Sequence, residues 1–179
     1  VISVDCRCHG QSPSSDDMTF PLMAGDIVET LKQLEIHQTI CIGHSMGGKV
    51  AMETAFATPS VVEKLILVDI VPSPPISQSS ETVSMISMVL PAMISLDLTQ
   101  IKSRKDADTL LKESIPFDGL RAWVLTNLYK DKNGLFHWHV NIRSVDKNKE
   151  KLFAGVRLNG RKPYTGETIL IGGDKSDVL

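Results

Sequence analysis

The stretch that decides the fold is Thr39-Ile40-Cys41-Ile42-Gly43-His44-Ser45-Met46-Gly47-Gly48-Lys49-Val50. Thr39 to Ile42 carries no polar alternation, and so reads as a strand buried on both faces, central in a parallel sheet. A helix follows from about Met46 to Ala57 and stops before Pro59, because a residue preceding proline is pushed out of the helical region. Between strand and helix lies Gly43-His44-Ser45-Met46-Gly47, a G-x-S-x-G pattern. A serine held at such a junction has the layout of a nucleophile elbow. Ser45 is expected to sit in a strained backbone conformation at the apex of the turn, with the flanking glycines removing β-carbons that would collide. Its hydroxyl then stands above the sheet, and the Met46 N–H at the helix N-terminus faces a developing oxyanion.

Outward from this junction the pattern repeats. Leu65-Ile66-Leu67-Val68 is the next buried strand and ends at Asp69. Upstream, Val1 to Asp5 reads as a strand, Cys6 to Asp17 as a turn-rich segment, and Met23, Ile27, Leu31 and Leu34 as the apolar stripe of a helix whose first turn holds Pro21. Strand, helix, strand, helix, strand describes an α/β fold with a doubly wound, mostly parallel sheet. The period changes after Val71. Pro72, Pro74 and Pro75 open a linker, helices are predicted near 83–97, 104–114 and 119–129, and a polar segment with Gly134 and the charge run Asp146 to Lys151 follows. Thr168-Ile169-Leu170-Ile171 then reads as a further central strand before Gly172-Gly173-Asp174. The expected organisation is a core over 1–76, a helical cap over 77–160, and the core resuming over 161–179. The chain opens on a strand without an initiator Met or targeting segment and stops after another, so it is expected to be the middle of a longer protein.

Composition narrows the class. Over 179 residues the chain is 42% hydrophobic and 22% charged, with a net charge of -2, which fits a globular domain and excludes fibrous or disordered chains. A near-neutral balance offers no electrostatic footprint for nucleic acid. The longest apolar stretch, Val83 to Leu98, is broken by Ser84, Ser87, Pro91 and Ser95 and falls short of the ~20 residues of a membrane span, so no transmembrane segment is expected. Its Met85, Met88 and Met93 are assigned to core packing in preference to an acyl pocket. Cys6, Cys8 and Cys41, odd in number and without C-x-x-C spacing, read as reduced thiols in an intracellular compartment.

A serine nucleophile needs a base and a group that orients the base. Asp69, at the carboxyl end of the strand after the elbow, is the first choice of acid, while Asp174 and Asp177 reach the same sheet edge and stay in contention. None of the histidines suits the base. His44 lies inside the elbow, His37 in a surface turn, His9 in a loop it helps structure, and His137 and His139 flank Trp138 as an exposed pair without a third metal ligand. The catalytic histidine is expected outside this chain. Gly43 to Lys49 also matches G-x-x-x-x-G-K of a phosphate-binding loop, but Val50 stands where that loop needs a magnesium-binding hydroxyl.

Asp5-Cys6-Arg7-Cys8-His9-Gly10-Gln11-Ser12 resembles the D-x-R-x-H-G-x-S segment of the α/β-hydrolase family. The elbow, together with Leu67-Val68-Asp69-Ile70-Val71-Pro72, Leu125-Thr126-Asn127-Leu128, Trp138-His139-Val140-Asn141 and Ile171-Gly172-Gly173, is similar to a narrower esterase branch, that of abhydrolase domain-containing protein 11 and small bacterial esterases. The resemblance implies an α/β-hydrolase fold with a cap, and a serine hydrolase acting on esters or acyl lipids without metal or organic cofactor, mitochondrial in eukaryotes. It maps the acid onto Asp69. An alternative acid position in the cap falls near Arg143, which cannot serve, and Cys8 stands where the branch usually has Asn. It also implies that the loop giving the second oxyanion N–H lies outside these residues.

Overall fold

The computed structural model describes residues 1–72 and 81–176. Thr19 opens α1 (Phe20–Gln33) by accepting the Leu22 N–H, and Pro21 sits where a missing N–H is harmless. Then come β1 (Thr39–His44), α2 (Met46–Ala57) and β2 (Val62–Val68). The cap contains α3 (Glu81–Ser95), α4 (Arg104–Leu111), α5 (Asp118–Thr126), and an antiparallel hairpin of β3 (Leu128–Lys130) and β4 (Phe136–Trp138). After α6 (Ile142–Phe153) the chain returns to the sheet as β5 (Glu167–Ile171). The linker prolines Pro74 and Pro75 and the expected start of the cap lie outside the described residues.

β1, β2 and β5 form a three-stranded parallel sheet in that order, with Ile42 beside Ile66 and Ile66 beside Ile169. Parallel strands need cover on both faces. Here α2 and α1 cover one face, where Val50, Met52, Ala55, Leu65 and Leu67 close the core with Met18, Phe20 and Met23 from the α1 side. The opposite face is bare. Ile42 is 68% and Ile171 50% exposed, and register places both on the side of Ile66. Two expectations therefore change. β1 is an edge strand and not a central one, and so is β5, because no described residue pairs with their outer edges. Val1 to Asp5 forms no strand, since it has no neighbouring strand to bond with. Leu34, expected in the buried stripe of α1, is exposed for the same reason: it borders the open side of β1.

The cap has its own core, in which Val89, Leu111, Ile115, Val124 and Leu128 are buried and Met85, Met88 and Met93 pack. The charge run is no loop but helix α6. Its inner face buries Asn148, whose amide donates to Asp16 O at 2.9 Å, while Lys147 and Lys151 pair with Asp16 and Asp17. A bridge of His9 with Val140 and a 2.7 Å bond from Asn141 N–H to Cys8 O tie the hairpin's exit to the loop after residue 5. The chain leaving the cap is bound again by Val156 N–H to Pro72 O at 2.7 Å, by Arg161 on buried Glu53, and by the Tyr164 hydroxyl on Val62 O at 2.9 Å.

Lys49 is the exception in this core. It is 6% exposed, and its ammonium rests 5.8 Å from the Phe20 ring centroid with no carboxylate beside it among the described residues. Burial pushes its pKa below the usual lysine range. The unfolded chain keeps that proton up to about pH 10.4, so the cost is full below the folded pKa and stability rises with pH between the two values. Lys49→Met is expected to stabilise the fold at pH 7 by on the order of 1 kcal/mol and to flatten that alkaline rise. Urea melts at pH 7 and pH 10 check this, and a lower midpoint for the variant at pH 7 contradicts it.

Candidate active site

The elbow forms because β1 and α2 meet with almost no space between them. A β-carbon on Gly43 would overlap the Gly47 carbonyl, and one on Gly48 would overlap the Ile70 side chain. The chain can reverse over so short a path only with the apex residue at φ 50°, ψ −119°, and that residue is Ser45. The sequence reading assigned the steric relief to Gly43 and Gly47. The structure moves the second role to Gly48, since a β-carbon at Gly47 meets nothing within 4 Å. Ser45 N–H donates to Val68 O at 3.1 Å, and its hydroxyl makes no capping bond to α2. That leaves Oγ free at the sheet edge, half-buried, next to the unbonded first N–H groups of the helix, Met46's foremost.

Asp69 stands one strand away. Register aligns His44, Val68 and Ile171, so Ser45, Asp69 and Gly172 leave the sheet at one level. Asp69 also has a positive φ, 54°, with its N–H on Ile171 O at 2.7 Å and its Oδ1 accepting from Gly173 N–H at 3.5 Å. Two adjacent non-glycine residues in this region mark stored backbone strain of the kind functional sites carry. Nothing in the sequence announces it at Asp69. Asp174 is exposed in the turn beyond Gly173, and Asp177 lies outside the described residues.

The histidines are placed as supports. His9 Nδ1 lies 3.0 Å from Arg7 O, which assigns its proton to Nδ1 and leaves Nε2 as an acceptor. His37 and His44 are exposed. His137 and His139 are not a simple exposed pair. His137 Nε2 meets Asp131 Oδ2 at 3.1 Å, and His139 stacks on the Tyr129 ring at 4.3 Å, so both brace the hairpin. Backbone N–H bonds, that of Leu135 foremost, and His137 lower the Asp131 pKa. Among the described residues no three His, Cys, Asp or Glu side chains gather as metal ligands. The phosphate-loop alternative fails on geometry as well as on Val50: Lys49 points into the core against Phe20 instead of toward the loop mouth. Arg143 is exposed on α6.

The segment over 5–12 is a structural staple beside the elbow. Asp5 accepts the Gln11 N–H at 3.0 Å, Ser12 donates to Asp5 O at 2.7 Å, and Gly10 at φ 53° leaves no room for a β-carbon against the Asp5 carboxylate. Arg7 holds Asp26 of α1 through two bonds of 2.7 Å. Cys8 sits at φ 67° with its thiol 3.2 Å from both Ser15 N and Ser15 O, filling the two bonds an asparagine amide would make.

Comparison with known proteins bears on this geometry. A family model described as the alpha/beta hydrolase fold matches residues 1–114. The sn-1-specific diacylglycerol lipase ABHD11 of Xenopus laevis is 35% identical over all of this chain and 56% of its own length. A putative esterase/lipase of Haemophilus influenzae is 27% identical over 98% of the chain and 58% of its own length. A solved structure described as a marine microorganism esterase superposes with a TM-score of 0.90 at 35% identity, covering 98% of this chain and 66% of that one. The chain thus spans about half the length of the curated relatives it matches.

If close approach is what shapes the elbow, Gly43→Ala and Gly48→Ala should each cost at least ~3 kcal/mol, while Gly25→Ala, in open space on α1, should gain up to ~1 kcal/mol. Equal effects at all three positions in chemical denaturation would contradict the packing described. Cys8→Asn should raise stability by about 1 kcal/mol, since asparagine tolerates positive φ and bonds Ser15 more strongly than a thiol does. A loss of stability in the same melts would show that the thiol is not acting as an amide surrogate.

Proposed function

The chain belongs to the alpha/beta hydrolase fold family, and on that premise we propose that the protein is a serine hydrolase that cleaves carboxylic esters, acyl lipids included, through an acyl-enzyme on Ser45. The observation that carries this reading is the strained Ser45 with its hydroxyl unspent, set between the N-terminus of α2 and Asp69. Ser45 Oγ attacks the acyl carbon as its proton passes to a histidine. The electron pair displaced onto the carbonyl oxygen is met by Met46 N–H, and the alcohol leaves with the proton from that histidine. Water then attacks the acyl-enzyme by the same route in reverse and frees Ser45 and the acid. The histidine comes from outside residues 1–179, and Asp69 orients it. Asp69 is favoured over Asp174 because it leaves the strand bonded to the elbow, has a fixed backbone, and is tethered by Gly173 N–H. The cap over 77–160 selects the acyl group. Relatives named as diacylglycerol lipases support the acyl-lipid side of this range, and those named as esterases the simpler esters. No metal or organic cofactor enters the reaction. By resemblance the compartment is intracellular and mitochondrial.

The test uses the protein as its natural gene encodes it. A fluorophosphonate is expected to label it, and Ser45→Ala to abolish both labelling and ester hydrolysis. Asp69→Asn should lower kcat by ~10³-fold or more with the fold intact, whereas Asp174→Asn should leave it within tenfold. Labelling that survives Ser45→Ala overturns the nucleophile, the reverse ranking of the aspartates overturns the acid, and no labelling at all points to a non-catalytic binding protein on this fold.

A further inference from the structure

An apolar trough of about 770 Å³ runs along the free edge of β1. One wall is Thr39 to Ile42 and the other is Val1 to Val4 with Cys6; the floor is formed by Ile27 and Leu31 of α1 and Val50 and Ala51 of α2. Gly47 opens onto it, which is why a β-carbon there would meet nothing. Three observations define what fits. The trough follows a sheet edge, so one wall carries a row of backbone N–H and C=O groups with no partner strand among the described residues. A hydrocarbon chain leaves those groups unsatisfied, whereas a polypeptide strand bonds them. A strand within a covered sheet occupies roughly 160 Å³ per residue, from 3.3 Å of rise, 4.8 Å between strands and about 10 Å between layers. The volume therefore matches about five residues, close to the length of β1. Finally, the curated relatives and the solved esterase extend well beyond the part these residues match, which leaves ample chain to supply a strand.

We infer that the trough is the seat of one extended, apolar strand contributed by a segment of the same protein outside residues 1–179, bonded to the free edge of β1. Seated there, it turns β1 from an edge into an interior strand, gives Val1 to Asp5 a neighbour, and places its end at Ser45. This rests on the sheet edge and not on the ester-hydrolase reading, and it stands or falls separately from it.

Hydrogen exchange on the naturally encoded protein tests it. Every amide from Ile40 to His44 should be protected by ~10³-fold or more, those facing away from β2 included. In addition, Ile42→Lys, which would be harmless at a surface site, should lower Tm by 10 °C or more. Alternate amides exchanging at solvent rates would overturn the proposal. So would protection that vanishes on dilution alongside a dimer in light scattering, which would make a second copy the occupant. Slow alkylation of Cys6 and Cys41 without protection of the β1 amides would likewise overturn it, in favour of a small apolar molecule.

Discussion

The structure depends on how closely the end of β1 passes the start of α2. Gly43 and Gly48 permit that approach by having no β-carbon where the Gly47 carbonyl and Ile70 lie. The approach in turn leaves one backbone solution for the residue between, and Ser45 takes it. A hydroxyl that would ordinarily cap the helix is instead held clear of it. Local sterics, the helix N-terminus and the exposed Oγ are thus consequences of one contact distance.

The rest of the molecule keeps that contact in place. Ile70, just after the second strained residue, fills the space over Gly48, so the Asp69 turn and the elbow are packed against one another. The bonds Ser45 N–H to Val68 O and Asp69 N–H to Ile171 O extend the ladder past the strands and fix the two side chains at one level. The cap is stitched to this frame on both sides, at Cys8 and His9 through the hairpin and at Pro72 through Val156, while Arg161 on Glu53 ties its exit to α2 itself.

Much of this was legible in the residues. Strand, elbow, helix, strand and Asp69 follow from an apolar run, a G-x-S-x-G junction and Pro59, because each is a local signal. What was not legible depends on partners distant in the chain. The apolar Val1-Ile2-Ser3-Val4 reads as a strand in any context, yet a strand exists only with a neighbour, and none is present. Gly47 and Gly48 are alike in sequence, and only the position of Ile70, more than twenty residues on, shows that Gly48 is the one needed. The run Asp146 to Lys151 looks like a solvated loop until Asn148 finds Asp16, and His137 and His139 look idle until Tyr129 and Asp131 fold between them. The strain at Asp69 has no sequence signal at all, since aspartate is common at turns of every type.

The central claim is that the strained serine at this junction is the reacting atom's residue. The most direct measurement is the mass of the naturally encoded protein quenched in acid during turnover of an activated ester, followed by peptide mapping of the adduct. The account predicts one acyl group per chain, on Ser45. An acyl group on any other residue, or steady turnover with no acylated protein at any time, would contradict it.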